Sequence, residues 1–545
     1  MKPTVPVLVV GAGPTGLALA GELLRQGVEC RVVDRAASRP THQARALTMW
    51  DGALDVLARH GIADEVIARG IPMTAARYWS RGRNFATVRF GAGSVAEGAA
   101  NPLIITQPQV EEVMVARLAE LGGAVEWSTA LTALTDRGDH VEVRLEGPDG
   151  DEEELTASWV VGCDGNHSTV RELSGITFGG STYGRSFILG DGDIDNPVVP
   201  GEAHYVLDPA GVLVLVPLPD GKLRVFADAT TVGDLDTAPT AEELQRLADE
   251  RAPFPLKIHD LQWSTRFLVH LRQATSYRAG RCLVAGDAAH VHSPAGGQGL
   301  NTGIQDAANL AFKLALVQRG CAGADALLDS YEAEREPVAA DVMRSSHTQT
   351  RLWTVRSPVG RWARDTLMGR AARSGLLERR LVPAMAQIDL DYRKSPAVGP
   401  GGGRRALRRG LADAELVPAD GGARTRLSTL LQAPRHTLLV LPGADTAGAA
   451  AVLAEAAPMA DRLSAHVLLT AADHARVEGG GLPPEHTYLL PADHPGPTGD
   501  LAGARLVLVR PDGYVAGTSA ELTAAAELLR PVAPAAPRLA QAPGA

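Results

Sequence analysis

Apolar residues recur along this chain in distinguishable rhythms. Val5 to Val10 is a short apolar run that ends in GAGPTG, after which Leu17, Leu19, Ala20, Leu23 and Leu24 fall at helical spacing as far as Gly27. A second β-branched run, Arg31 to Val33, follows, so the opening segment predicts a strand, a helix and a parallel strand. From Gln107 the stretch containing VEEVMVARLAELG predicts another amphipathic helix. Strands are expected around Val125 to Leu131, Val141 to Leu145 and Trp159 to Gly162.

Between about Phe178 and Arg272 apolar and polar positions alternate, punctuated by Pro and Gly, as in HYVLDPAGVLVLVPLPDGKLRVFAD. That rhythm predicts an antiparallel sheet set into the first α/β layer. Cys282 to Ala285 is strand-like again and leads through a Gly-rich loop into a long helix from about Gly303 to Arg319. The stretch after Glu334 is Arg-rich and helix-prone, and VGPGGG at Val398 to Gly403 is expected to be a flexible connector. Beyond it, HTLLVLPG, SAHVLLTA and ARLVLVRPDGYVAG predict strands alternating with Ala-rich helices at Ala447 to Ala457 and Ala520 to Leu529. Pro531 to Ala545 is expected to be disordered, and no tandem repeat is visible.

At 545 residues the chain exceeds what one hydrophobic core organises, which sets an expectation of two to four domains. No apolar stretch is long enough to span a bilayer, and the N-terminus runs into a strand without an h-region and cleavage site. A cytoplasmic protein with no membrane partner is therefore expected. A formal charge of −10 opposes nonspecific nucleic-acid binding. Cys30, Cys163, Cys282 and Cys321 form neither a CxxC nor a zinc spacing, so buried thiols and no metal site are expected.

Gly11, Gly13 and Gly16 make a GxGxxG turn, which lets the backbone approach a pyrophosphate at the N-terminus of the following helix. Asp34, about 20 residues further on, is a carboxylate able to accept bonds from an adenosine ribose. His290 and His292 straddle Val291, but no carboxylate or Cys is spaced to complete a metal site with them. Packing and hydrogen bonding are their expected roles.

Three stretches resemble the flavoprotein aromatic hydroxylases of the para-hydroxybenzoate hydroxylase and phenol hydroxylase type: GAGPTG with Asp34 and Arg35; VGCDGNHSTVR from Val161 to Arg171, similar to the family's DG motif; and RCLVAGDAAHVHSPAGGQGLN from Arg281 to Asn301, similar to its GD motif. The third continues into TGIQDAANLAFKLA. The resemblance implies noncovalent FAD with Asp287 on the ribityl chain and Pro294, Gly297, Gly299, Leu300 and Asn301 beside the isoalloxazine. It further assigns Arg45 and Gln107 to the phosphate and ribityl region and backbone contacts near the adenine to Leu131, and counts Thr15 of the glycine turn among the cofactor-binding residues. Asp164 is implied in flavin binding; a helix cap for STVREL is its competing reading.

The implied architecture is an α/β FAD-binding domain of the glutathione-reductase type, an inserted β-rich substrate domain and a C-terminal thioredoxin-like domain. The expected boundaries are 1–177 with 272–345 for FAD and 178–271 for the substrate, with 76–101 able to pack on the substrate domain. A helical segment and linker (346–403), the thioredoxin-like domain (404–530) and a disordered tail (531–545) complete the chain. The last domain resembles the appendage of phenol and polyketide hydroxylases, although Gly517 stands where relatives usually have Trp, and it has no cysteine.

The activity so implied is hydroxylation of a phenolic or polycyclic, polyketide-like aromatic by a C4a-hydroperoxyflavin, using O2 and NADPH or NADH, in a monomer or homodimer. Two alternatives stay open: Baeyer-Villiger insertion on a polyketide ketone, and a flavin-binding protein that shelters a reactive intermediate. No motif names a catalytic base; Tyr205, His204 and His270 are the conceivable groups.

Overall fold

The computed structural model describes residues 3–41, 46–94, 101–229, 235–470, 472–473 and 482–535, excepting the side chains of Arg408 and Arg409. The chain divides into two compact units, the first formed by 1–21, 30–307 and 336–388 and the second by 22–29, 308–335 and 389–545.

The first unit holds the predicted parallel layer. Thr4–Val10 pairs in parallel with Cys30–Val33 on one side and Glu152–Gly162 on the other, and Cys282–Val284 extends the sheet beyond Glu152–Gly162. Val7, Leu8 and Val9 are fully buried, as strands covered on both faces require. The expected strand from Val125 to Leu131 is instead two, Val125–Glu126 and Ala130–Asp136. Ser128 breaks it by adopting the left-handed conformation, with φ at 54°.

The alternating region forms a second, eight-stranded sheet, which also takes in Ala75–Ser80, Arg83–Arg89 and His290–Val291. Its two faces follow the period of two. Ile188, Leu213, Leu215 and Val225 pack against Leu244, Leu247 and Ala248 of the helix Ala241–Arg251. That helix is a correction, because the region reads as strands throughout. Its signal was present in TAEELQ, where Thr240 caps the helix by accepting from the Glu243 N–H at 3.1 Å. The long helix after the GD loop begins four residues earlier than expected, running Gly299–Gln318.

In the second unit a seven-stranded sheet runs from Thr425–Arg426 at one edge to Val515–Ser519 at the other. The expected 404–530 domain is not self-contained. Phe312, Leu316 and Cys321 share a core with Leu438, Val467 and Leu506. The expected flexible connector is also fixed: Gly399 N–H donates to Ala516 O at 2.7 Å and Gly403 N–H to Val515 O at 2.8 Å, so the glycines pair with an edge strand. Order extends past Pro531 as well. Val532 is buried and Ala535 N–H donates to Gly320 O at 2.8 Å, while 536–545 lie outside the described residues. Among the described residues no helix is long and apolar enough to cross a membrane.

Candidate functional site

The turn after the first strand assigns different work to its three glycines. Gly11 has φ at 102°, and a Cβ there would stand 2.4 Å from Cys163 O; at Gly16 it would stand 1.9 Å from Gly11 O. Both are required by the protein's own backbone. A Cβ at Gly13 meets nothing within 4 Å. That open space, at the start of the helix Pro14–Arg25, is what close approach of a pyrophosphate needs.

Asp34 braces this turn. Its Oδ2 accepts from Ala12 N–H at 2.7 Å and its Oδ1 from Ala36 N–H at 2.8 Å, so the carboxylate shapes the loop before any ribose arrives. Arg35 is exposed, and Arg45 lies outside the described residues. Leu131 is buried just after Thr129, whose N–H donates to Asp34 O at 2.9 Å, so this backbone runs beside the acidic end of the turn.

Gln107 Nε2 donates to Glu111 Oε1 at 2.8 Å. Glu111, which the sequence reading passed over, is buried, and burial pushes its carboxyl up to about 7 against the hydrogen bond from Gln107 and the charge of Arg39. Its signal was the i, i+4 spacing to Gln107 on one helix face.

For Asp164 the cap reading describes the geometry. Its Oδ1 accepts from Ser168 Oγ at 2.5 Å and its Oδ2 from the N–H groups of Thr169 and Val170 at 2.7 and 3.2 Å. The neighbours Cys163, Gly165 and Asn166 line the cavity instead.

Asp287 stands exposed on a short turn, Gly286–Ala288, at the cavity wall. Beneath it His290 Nε2 lies 2.7 Å from Asp306 Oδ2, which also accepts from Gly286 N–H at 3.1 Å; both side chains are buried. Asp306, in the quoted TGIQDAAN stretch but given no role there, thus holds the GD turn from below. Thr15 packs on the same turn: a Cβ at Gly286 would stand 2.4 Å from its Oγ1.

Pro294, Gly297, Gly299 and Leu300 line the cavity. Asn301's side chain does not. Fully buried, it accepts from Trp50 N–H at 2.7 Å and donates to Thr48 O and Gly297 O at 2.8 Å each, tying the loop to the strand Thr48–Met49. His292 also faces the cavity, and burial pulls it down to about 4, which keeps it neutral.

The cavity, about 670 Å³, runs without interruption from Gly13 and Asp287 to the inner face of the second sheet. Tyr205, Phe226, Trp263 and Phe267 line it, joined by Trp50, Tyr78, Phe90 and Trp353. Trp79 faces the other way, 5.7 Å from His204 and 5.8 Å from Phe254 between ring centroids. His204 shares that far face, buried beside Glu202, and burial lowers its pKa. It is therefore removed as a base for chemistry in the cavity. His270 lines the cavity with Nδ1 2.8 Å from Thr182 Oγ1.

The match to known proteins agrees with this geometry. A family model described as an FAD binding domain matches residues 4–346. 6-Methylpretetramide 4-monooxygenase of Streptomyces rimosus is 35% identical over 519 residues, covering 94% of this chain and 90% of that protein. Pentachlorophenol 4-monooxygenase of Sphingobium chlorophenolicum is 30% identical over 547 residues, 93% of each chain. The crystal structure of CabE, an aromatic hydroxylase from angucycline biosynthesis, aligns with a TM-score of 0.77 at 32% identity, covering 98% of this chain and 100% of CabE. Open space at Gly13, an acidic turn at Asp287 and an aromatic-lined cavity joining them are thus found in a chain that belongs to the FAD-binding-domain family of flavoprotein aromatic hydroxylases.

Proposed function

We propose that this protein is an FAD-dependent monooxygenase that hydroxylates a phenolic, polycyclic aromatic with O2 and either NADPH or NADH. The observation that carries the reading is the single cavity that joins the dinucleotide turn and Asp287 to an aromatic wall, because flavin and substrate ring must meet in one water-poor space. FAD bound there supplies the redox chemistry, accepting hydride and activating O2 for transfer to a ring carbon.

The protein's own residues bind, orient and exclude water. Gly13 and the helix behind it receive the pyrophosphate, and Asp287 accepts from the ribityl hydroxyls. The Gly297–Leu300 backbone lies at the start of the helix Gly299–Gln318, where N–H groups favour negative charge on a reduced ring. Val214, Phe226 and Trp353 keep the far part of the cavity apolar. The eight-stranded sheet is read as the substrate domain, and the C-terminal sheet as thioredoxin-like. Lacking any cysteine in 404–530, the latter carries no thiol chemistry and serves stability in a cytoplasmic monomer or contacts between copies in a homodimer.

Anaerobic stopped-flow reduction of the FAD-loaded protein by NADPH and by NADH tests this reading. Reduction accelerated by a polycyclic phenol is expected, since ligand binding and flavin access share one cavity. Equal rates with and without every phenol tried would contradict it.

A further inference from the structure

The inner face of the second sheet carries one row of side chains across six strands. Following the register, Tyr78 stands beside Tyr205, Tyr205 opposite Val214, Val214 opposite Phe226, Phe226 opposite Leu189 and Leu189 opposite Thr265. All six line the cavity. The row is polar only at its ends, with two phenol hydroxyls at one and a threonine at the other.

Tyr78 and Tyr205 are in register on the parallel strands Ala75–Ser80 and Glu202–Asp208, and their rings stack at 5.0 Å with planes 17° apart. Tyr78 is only 8% exposed. Among the described residues neither hydroxyl makes a hydrogen bond, to the other or to any third group, and neither is sealed off from the cavity that the two rings line. Burial raises both phenols, Tyr205 to about 12 and Tyr78 further, so at neutral pH both remain protonated donors and neither is a resting base.

We propose that Tyr78 and Tyr205 are a two-donor clamp for an aromatic ring bearing oxygens in the 1,3 relation, and that this pair selects among the phenols the cavity admits. The geometry is set by the sheet. Neighbouring strands lie about 4.8 Å apart, the stack holds the two rings at that spacing, and oxygens on meta carbons of a benzene ring are separated by about the same distance. Ortho oxygens stand too close together to meet both hydroxyls, and para oxygens point to opposite sides of the ring. Fused rings beyond the clamp then lie over Val214, Phe226 and Leu189, where apolar burial favours them. The inference rests on the reading of the cavity as an aromatic-substrate site and adds which ring edge it recognises.

The experiment uses 1,2-, 1,3- and 1,4-dihydroxyanthraquinone with FAD-loaded protein, reading Kd from quenching of tryptophan fluorescence, since Trp50, Trp263 and Trp353 line the cavity. The parent protein is expected to bind the 1,3 isomer most tightly. Tyr78→Phe and Tyr205→Phe keep the stack and each remove one donor, so each is expected to weaken the 1,3 isomer about 3- to 10-fold and the 1,2 isomer less than about 2-fold. The double variant should show no isomer preference. FAD content and melting temperature are expected to stay at the parent values in all variants, which separates lost recognition from lost folding. A preference that survives in both single variants, or no preference in the parent, overturns the clamp alone. Failure of all three isomers to bind overturns the aromatic-site reading and the clamp with it.

Discussion

Replacing Gly13 with alanine is expected to give a folded protein that loses most of its FAD on gel filtration. A Cβ at that position meets no protein atom within 4 Å, so the apoprotein has nothing to displace and its melting temperature should match the parent apoprotein's. A methyl group forced into the phosphate contact costs roughly 1–3 kcal/mol, about 5- to 150-fold in Kd. Gly11→Ala and Gly16→Ala should behave differently. Their added carbons would fall 2.4 Å from Cys163 O and 1.9 Å from Gly11 O, so they are expected to destabilise the fold with or without flavin. Flavin stoichiometry from absorbance, paired with thermal melts of apoprotein, checks both halves. A Gly13→Ala protein that keeps stoichiometric FAD at the parent affinity would place the pyrophosphate elsewhere.

The second large effect is expected from Glu334, at the centre of a buried ionic cluster in the second unit. Its Oε1 accepts from Arg510 Nη1 at 2.8 Å and Ser395 Oγ at 2.7 Å; its Oε2 accepts from Arg510 Nη2 at 2.8 Å and Asn309 Nδ2 at 2.6 Å, with Lys313 Nζ at 3.1 Å. Arg510 also pairs with Asp512. Glu334→Gln leaves two buried cations short of a counter-charge and is expected to cost about 3–5 kcal/mol, read as a lowered urea midpoint.

The pH dependence of that loss has a definite sign. Burial alone would raise the Glu334 carboxyl, but Arg510 and Lys313 hold it well below the usual carboxylate range. Its contribution is therefore full above the unfolded carboxylate pKa and is lost as pH falls toward its folded value. The gap between parent and Glu334→Gln should narrow as pH drops below the ordinary carboxylate range. A gap that stays constant or widens there would show that the charge is not what matters.

How much was legible beforehand depended on how local the signal was. The first strand, the glycine turn and the helix behind it follow from apolar spacing and the turn's glycines, within about 30 residues of chain. The GD loop was legible as a motif: Pro294, Gly297, Gly299 and Leu300, which the resemblance sets beside the isoalloxazine, line the cavity, but the motif said nothing of which side chain turns inward. Asn301 turns away because the strand Thr48–Met49, some 250 residues earlier in the chain, offers it partners. Asp164 likewise faces the helix it caps, a reading left open by the motif.

Non-local pairing accounts for most of what was missed. Tyr78 and Tyr205 meet through a register between strands 127 positions apart, which no periodicity announces. His204 was weighed beside Tyr205 because they are neighbours in sequence, yet strand alternation puts them on opposite faces. The division at 404 followed a glycine-rich segment that composition marks as a linker. In the fold those glycines pair with Val515–Ser519, and the core beyond them is completed by Phe312 and Leu316. The helix Ala241–Arg251 was overlooked because the surrounding alternation dominated the reading of its window.

Turnover under 18O2 tests the central claim most directly. Incubated with reduced nicotinamide and an electron-rich polycyclic phenol that accelerates flavin reduction, the FAD-loaded protein is expected to return a product with one labelled oxygen on a ring carbon, as a phenol or the quinone it becomes. Label in a ring-expanded lactone, or only in hydrogen peroxide and water with the aromatic unchanged, would contradict hydroxylation as this protein's reaction.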